Sequence, residues 1–269
     1  MSTLTRIATA AAVAAGLTLG LGAVGAQAAG GGEGPGLKRP YWSFEGVFGG
    51  YDEQQLRRGW EVYAQVCKSC HVLDYMHYRN LEQIGFTEDE VKEIAASFEV
   101  EDGPDEWGEM FMRPATPMDE FAKPYENDAI AKLANGGVVP PNLSVMARAR
   151  DGGADYIYSL MLGYRDEVPE WVLEHDPNFE LPAGKSFNAY FPGYAISMPQ
   201  QLFEGILEYP DGTEPSAEQM AHDVTAFLQW AAEPELEDRK ALGRYVLVFL
   251  LVLTALLYAY KREIWKDAH

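Results

Sequence analysis

Cys67-Lys68-Ser69-Cys70-His71 is the stretch on which the reading of this 269-residue chain turns. It holds both cysteines of the chain. Two thiols three positions apart, followed directly by a histidine, form the attachment signature of a c-type haem. The thiols add to the vinyl groups and the imidazole gives a nitrogen to iron. Three rival readings fall away. A thioredoxin-like pair opens a helix after a strand, and no such pattern precedes Cys67. A zinc site needs a second ligand pair, and none exists. A disulfide across two residues leaves His71 without a role.

Upstream, Leu56, Trp60, Tyr63, Cys67 and Cys70 recur at three- and four-residue steps, which predicts a helix over 54–70 with the thiols on its apolar face. Downstream, Thr87 and Glu90 predict a capping box, with Val91, Ile94, Ala95 and Phe98 inward. Residues 99–124 are acidic and proline-containing and read as a surface excursion. Asn127 predicts the cap of a short helix ending at Gly136-Gly137. Residues 156–162 read as another, closed by Gly163. Residues 165–196 read as a long ordered loop with at most a short hairpin. Ser216 and Gln219 predict a second capping box. Met220, Val224, Phe227, Leu228 and Ala231 follow in a helix that ends before Pro234 and leads through an acidic hinge to the apolar end of the chain.

The two ends are apolar in different ways. Arg6, the small-residue-rich stretch 7–24 and Ala26-Gln27-Ala28 predict an export signal, 1–28, cleaved after Ala28. Residues 245–260, YVLVFLLVLTALLYAY, carry no charge. Extended through Leu242 and Gly243, with Arg244 snorkelling, they predict a membrane span at 241–260. A buried core helix would show a polar face, and this run shows none. Tyrosines at both ends suit interfacial belts. Lys261, Arg262 and Lys266 place the tail, 261–269, in the cytoplasm. The domain between, 29–240, is long enough for one sizeable core. The expected location is the bacterial cell membrane with this domain periplasmic. Removing 1–28 takes away Arg6 and no acid, leaving 20 basic against 41 acidic side chains. That balance excludes nucleic acid and favours a basic soluble partner. The acidic stretches 99–109 and 166–180 are the candidate docking surfaces.

An electron carrier normally fills both axial positions of its iron. His269 lies beyond the span and His77 is close in sequence to His71; His175 and His222 stay open as ligands, although lone histidines of this kind are more often surface residues. Met161 and Met220 read as core, and Met110 and Met112 fall in the acidic excursion. Met198, in Tyr190-Phe191-Pro192-Gly193-Tyr194-Ala195-Ile196-Ser197-Met198-Pro199, is flanked by prolines that limit backbone freedom. Met118, also beside a proline, is the next candidate.

Several further segments resemble one family. They are Arg58-Gly59-Trp60-Glu61-Val62-Tyr63 before the thiols, Ala134-Asn135-Gly136-Gly137, Pro140-Pro141-Asn142-Leu143-Ser144, residues 148–156, the 190–198 loop, and residues 227–235 before the span. In this order they resemble the cytochrome c1 family, the haem subunits of the bc1 (quinol–cytochrome c oxidoreductase) complex. The resemblance implies a mainly α fold: a class I cytochrome c-like haem domain with long loop insertions, plus one C-terminal transmembrane helix. It implies one covalently bound haem c held by Cys67 and Cys70, with His71 and Met198 axial to iron. Arg150, Tyr156 and Asn135 match positions that meet the haem propionates. It implies cytochrome b and a Rieske iron–sulfur protein as partners, a soluble basic c-type cytochrome as acceptor, a dimeric complex, and no enzymatic activity of the chain alone. Many relatives carry glycine before the axial methionine, where this chain has Ser197. Some bacterial relatives carry an additional disulfide, which this chain cannot form. A membrane-anchored c-type carrier of another complex is the alternative function. A haem peroxidase is less well matched, since a single CxxCH motif is present; a haem sensor or structural anchor is a further alternative, which a low potential with rapid ligand exchange would favour.

Overall fold

The computed structural model describes residues 34–267; the expected signal 1–28 and His269 lie outside them. The described part is mostly helical. Helix α1 (Glu53–Gln65) starts where the Asp52 carboxylate accepts from the amides of Gln54 and Gln55 at 2.9 and 3.1 Å. Helix α2 (Glu88–Ala96) has the expected Thr87/Glu90 capping box. A hairpin follows, β1 (Glu99–Asp102) with β2 (Phe111–Pro114). Then come α3 (Asp128–Ala134), α4 (Met146–Ala149), α5 (Gly153–Met161), β3 (Tyr164–Arg165), α6 (Glu170–His175), β4 (Ser186–Asn188) and β5 (Ala195–Ile196). Helix α7 (Ala217–Ala232), capped by Ser216, and helix α8 (Leu236–Ile264) end the chain.

The main core forms where α1 crosses α7. Gly59 makes the crossing possible: a Cβ there would lie 2.3 Å from Asp223 O and 2.6 Å from Phe227 Cβ. Around it Trp60, Tyr63 and Phe227 are at most 2% exposed. Tyr63 stacks on Phe227 at 5.6 Å, and Phe121 closes on Trp60 at 5.1 Å. Burying each such ring contributes about 1.5–3 kcal/mol. Asp223, fully buried, accepts from Arg58 Nε at 3.0 Å and Gln219 Nε2 at 2.9 Å, so its charge is not left unpaired.

A second, smaller cluster lies under the three-stranded antiparallel sheet β3–β4–β5. Phe187 and Val172 are buried there, with Trp171, Phe179, Tyr190 and Tyr194 around them. Tyr194 is the one non-glycine among the described residues with positive φ, at 61°. That backbone is disfavoured for an L-residue. The ring is stacked on Phe187 at 5.9 Å and set edge-on to Trp171 at 5.3 Å, which holds it.

Four expectations need correction. The helix through the thiols stops at Gln65, and Cys67–Ser69 is a separate 3₁₀ turn. Both helix types bring i and i+3 to one face, so the periodicity ran on across the break. Residues 165–196 are not a loop but hold α6 and the β3–β5 sheet. The excursion at 99–124 contains a hairpin, tied down by Arg113, which pairs with Asp102 and with Asp119 (2.7 Å). The acidic hinge shrinks to residues 233–235, because Glu237 and Asp238 already sit in the first turn of α8, where acids suit the helix dipole.

Helix α8 has 29 residues, about 44 Å at 1.5 Å per residue. It is long and apolar enough to cross a membrane, and none of its apolar window is buried.

Candidate functional site

The turn after α1 presents the two thiols and the imidazole. Ser69 Oγ donates to Val66 O at 2.8 Å, and the amides of Cys70 and His71 both donate to Cys67 O, at 3.1 and 2.9 Å. Neither cysteine is in a disulfide. Cys67 packs against the main core. Burial first, then the neighbouring Cys70, pushes its thiol up to about 12.

His71 is fixed by backbone. Its Nδ1 lies 2.8 Å from Pro141 O. A carbonyl only accepts, so Nδ1 carries the proton and Nε2 is left with its lone pair. Burial lowers the imidazole pKa, and the Pro141 hydrogen bond only partly opposes this. A neutral imidazole is the ligand form. The segment holding Pro141 is laced to the chain after His71. Leu143 N donates to Val72 O at 2.9 Å, Asn142 Nδ2 to Asp74 Oδ2 at 2.8 Å, and Tyr75 N to Ser144 Oγ at 3.2 Å.

The other expected residues fall into two groups. Asn135, at the C-terminal cap of α3, joins the thiol side. Its Nδ2 donates to Ala131 O at 2.7 Å and to Tyr125 Oη at 3.1 Å, and Tyr125 Oη lies 3.9 Å from Cys70 Sγ. Arg150, Tyr156 and Met198 form the second group, joined through Tyr164. The Tyr164 hydroxyl donates to Met198 O at 3.1 Å. Burial raises the phenol pKa of Tyr156, and the nearby Arg150 cation works against that rise. Burial raises Tyr164 too, with Tyr156 adding to it. Arg150 is exposed and has no carboxylate partner among the described residues. Ser197, next to Met198, accepts from Lys185 Nζ, so both residues 197 and 198 are held from the sheet side.

Other methionines are differently placed. Met220 is fully buried in the main core and Met76 nearly so. Met118 is 66% exposed, with its sulfur 3.3 Å from Arg79 Nη1.

Sequence reasoning did not single out Tyr125, Tyr164 or Lys185, and gave Pro141 no role of its own. Only Pro141 sat in a quoted motif. The others act through contacts distant in sequence, for which no spacing rule exists.

The residues fit a covalently held haem. Two uncommitted thiols lie within one turn, an imidazole has its Nε2 free, and an arginine fork lacks an anion among the described residues. With a mostly helical domain and, among the described residues, one helix long and apolar enough to cross a membrane, these define the class of c-type cytochromes with a membrane anchor. Comparison with known proteins narrows this. The Cytochrome C1 family model matches residues 42–268. "Cytochrome c1" of Rhodospirillum rubrum is 48% identical and covers 98% of this chain and 99% of its own length. The mitochondrial "Cytochrome c1-2, heme protein" of Solanum tuberosum is 45% identical, over 83% of this chain and 82% of its own. The "Cytochrome b-c1 complex catalytic subunit, mitochondrial" of Candida albicans is 44% identical, over 83% of this chain and 75% of its own. The chain belongs to the cytochrome c1 family.

Proposed function

We propose that this chain is the haem-bearing electron-transfer subunit of a quinol–cytochrome c oxidoreductase. It takes an electron from the Rieske iron–sulfur protein and passes it to a soluble basic c-type cytochrome. Family membership and the names of its relatives support the cofactor, haem c, and a place in a bc1 complex beside cytochrome b. Such complexes are dimeric in the family. The chain alone is a carrier and not an enzyme. The domain 29–240 would face the periplasm after loss of 1–28, with the span at 241–260 and the tail 261–269 in the cytoplasm. The basic residues after the span support that orientation.

Haem c, when bound, supplies reversible one-electron iron chemistry, with a thioether ligand favouring the ferrous state. Cys67 and Cys70 would hold it covalently. His71 would present Nε2 to the iron, oriented by Pro141 O. Met198 would supply a sulfur ligand, its backbone held by Tyr164. Arg150 and Tyr156 would meet the propionates, the fork by charge and the hydroxyl as a neutral donor. Asn135 would act from the thiol side, through Tyr125. The single observation that carries the reading is the His71 Nδ1–Pro141 O contact at 2.8 Å, which leaves Nε2 as the only ring nitrogen free for a metal.

The test is a redox titration of the detergent-extracted protein beside Met198→Leu. The expected outcome is a high potential that falls in the variant, within the ~0.8 V that axial ligands span. An unchanged potential removes Met198 as a ligand and turns attention to Met118.

A further inference from the structure

The segment just before α1 has a buried root and an exposed tip. Trp42 and Phe44 sit in the main core, and Trp42 Nε1 donates to Asp155 Oδ1 at 2.7 Å. The apolar side chains that follow point outward: Val47 is 60% exposed and Phe48 86%. A single exposed apolar side chain is ordinary. What distinguishes this tip is the element that grips it.

Glu237, Lys240 and Arg244 lie three and four positions apart, on one face of the first turns of α8. Glu237 Oε1 accepts from Tyr51 N at 2.6 Å. Lys240 Nζ donates to Phe44 O and, at 3.1 Å, to Gly49 O. Arg244 Nη1 donates to Val47 O at 2.9 Å, and its guanidinium lies 5.5 Å from the centre of the Phe48 ring. The seat is close: a Cβ at position 50 would come within 2.7 Å of Glu237 Oε1, so the carboxylate would have to shift to admit one.

Arg244 is also the last charge before the uncharged run 245–260. Its contacts therefore set Val47 and Phe48 at the level where hydrocarbon begins. That run has 16 residues. At 1.5 Å per residue it spans about 24 Å, short of the ~30 Å hydrocarbon core. The Arg244 head is drawn toward the loop and away from the bilayer centre, as a snorkelling cation would be. Phenylalanine and valine beside a cation are the composition of an interfacial anchor.

We infer that residues 46–48 form a second membrane contact, with Val47 and Phe48 entering the headgroup–acyl boundary of the bilayer beside α8. The occupant of this surface is lipid. Two attachment points, the helix and the loop tip, then hold the haem domain at one tilt over the membrane. The inference uses the span alone and is independent of which residues ligate iron.

The test is photo-crosslinking in native membranes, in the intact complex. Phe48→p-benzoylphenylalanine is compared with the same replacement at Leu250, inside the span, and at Trp107, an 81% exposed residue of the β1–β2 hairpin. The expected result is lipid adducts at position 48, detected by peptide mass, several-fold above the Trp107 level and near that of Leu250. A protein adduct at position 48 overturns the inference, because another subunit then covers the tip. Yield at the Trp107 level also overturns it, because the tip is then in water. If the Phe48 variant fails to accumulate, the same replacement at Val47 gives the same reading.

Discussion

The two sides of the site are built on different foundations. The thiol–imidazole side continues directly from α1, whose packing on α7 forms the main core. The Met198 side hangs from a three-stranded sheet whose strands are two or three residues long and whose cluster has three buried members. One side is secured by many buried aromatic contacts. The other depends on a few rings, one hydroxyl and one ammonium. Local stability follows the density of buried apolar contacts, so the Met198 side should open first, at a lower free energy than global unfolding.

The largest expected effect comes from the strong side. Phe227→Ala should cost about 3–5 kcal/mol, read as a fall in the denaturant midpoint with both sides of the site lost together. Phe187→Ala removes the same ring from the weak side. Its midpoint shift should be less than half as large, while in the proposed ligation the ferrous protein gains carbon monoxide binding as the Met198 segment loosens. Equal midpoint shifts for the two variants would show that the clusters unfold as one unit, and would remove the contrast. Tyr164→Phe sharpens it further. Losing one hydrogen bond should cost about 0.5–1.5 kcal/mol. In the proposed ligation it should appear as earlier thermal loss of the sulfur-to-ferric-iron charge-transfer band, with the global transition unmoved. A variant that loses the band and the fold at the same temperature would contradict this.

The smallest effect concerns a third region, the β1–β2 hairpin, which is held by charge. Arg113 holds the Asp119 carboxyl well below the usual carboxylate range, and Thr116 adds to this. A depressed folded pKa means that the contribution is complete above the unfolded value, about 3.9, and is lost as pH falls toward the folded one. Amide exchange across residues 99–114 should therefore quicken below about pH 4 while α1 and α7 stay protected. Arg113→Gln should remove that pH dependence.

The strong side was also the legible side. α1 and α7 carry apolar residues at helical steps, and Ser216, Thr87 and Asn127 announce their helices through local capping that needs no tertiary information. The CxxCH turn and the spanning helix are likewise local. The sheet β3–β5 left little trace. Two-residue strands have no period to detect, and Tyr164 pairs with Asn188, 24 positions away. Arg150 and Tyr156 stood out only through family resemblance. Nothing local separates Arg150 from Arg148, although in the structure Arg148 is paired with Glu233 and Arg150 is not. Tyr125 and Lys185 had no local mark at all.

The Pro141 carbonyl has a consequence for how such a protein can change over generations. The acceptor that orients His71 belongs to the main chain. No single substitution at position 141 deletes it, whereas the supports of Met198, the Tyr164 hydroxyl and the Lys185 ammonium, each vanish with one codon change. In the proposed ligation the electron-donating strength of the imidazole is thus buffered against mutation. Descendants that adjust their redox potential to a new acceptor would find most of their accessible variation on the methionine side.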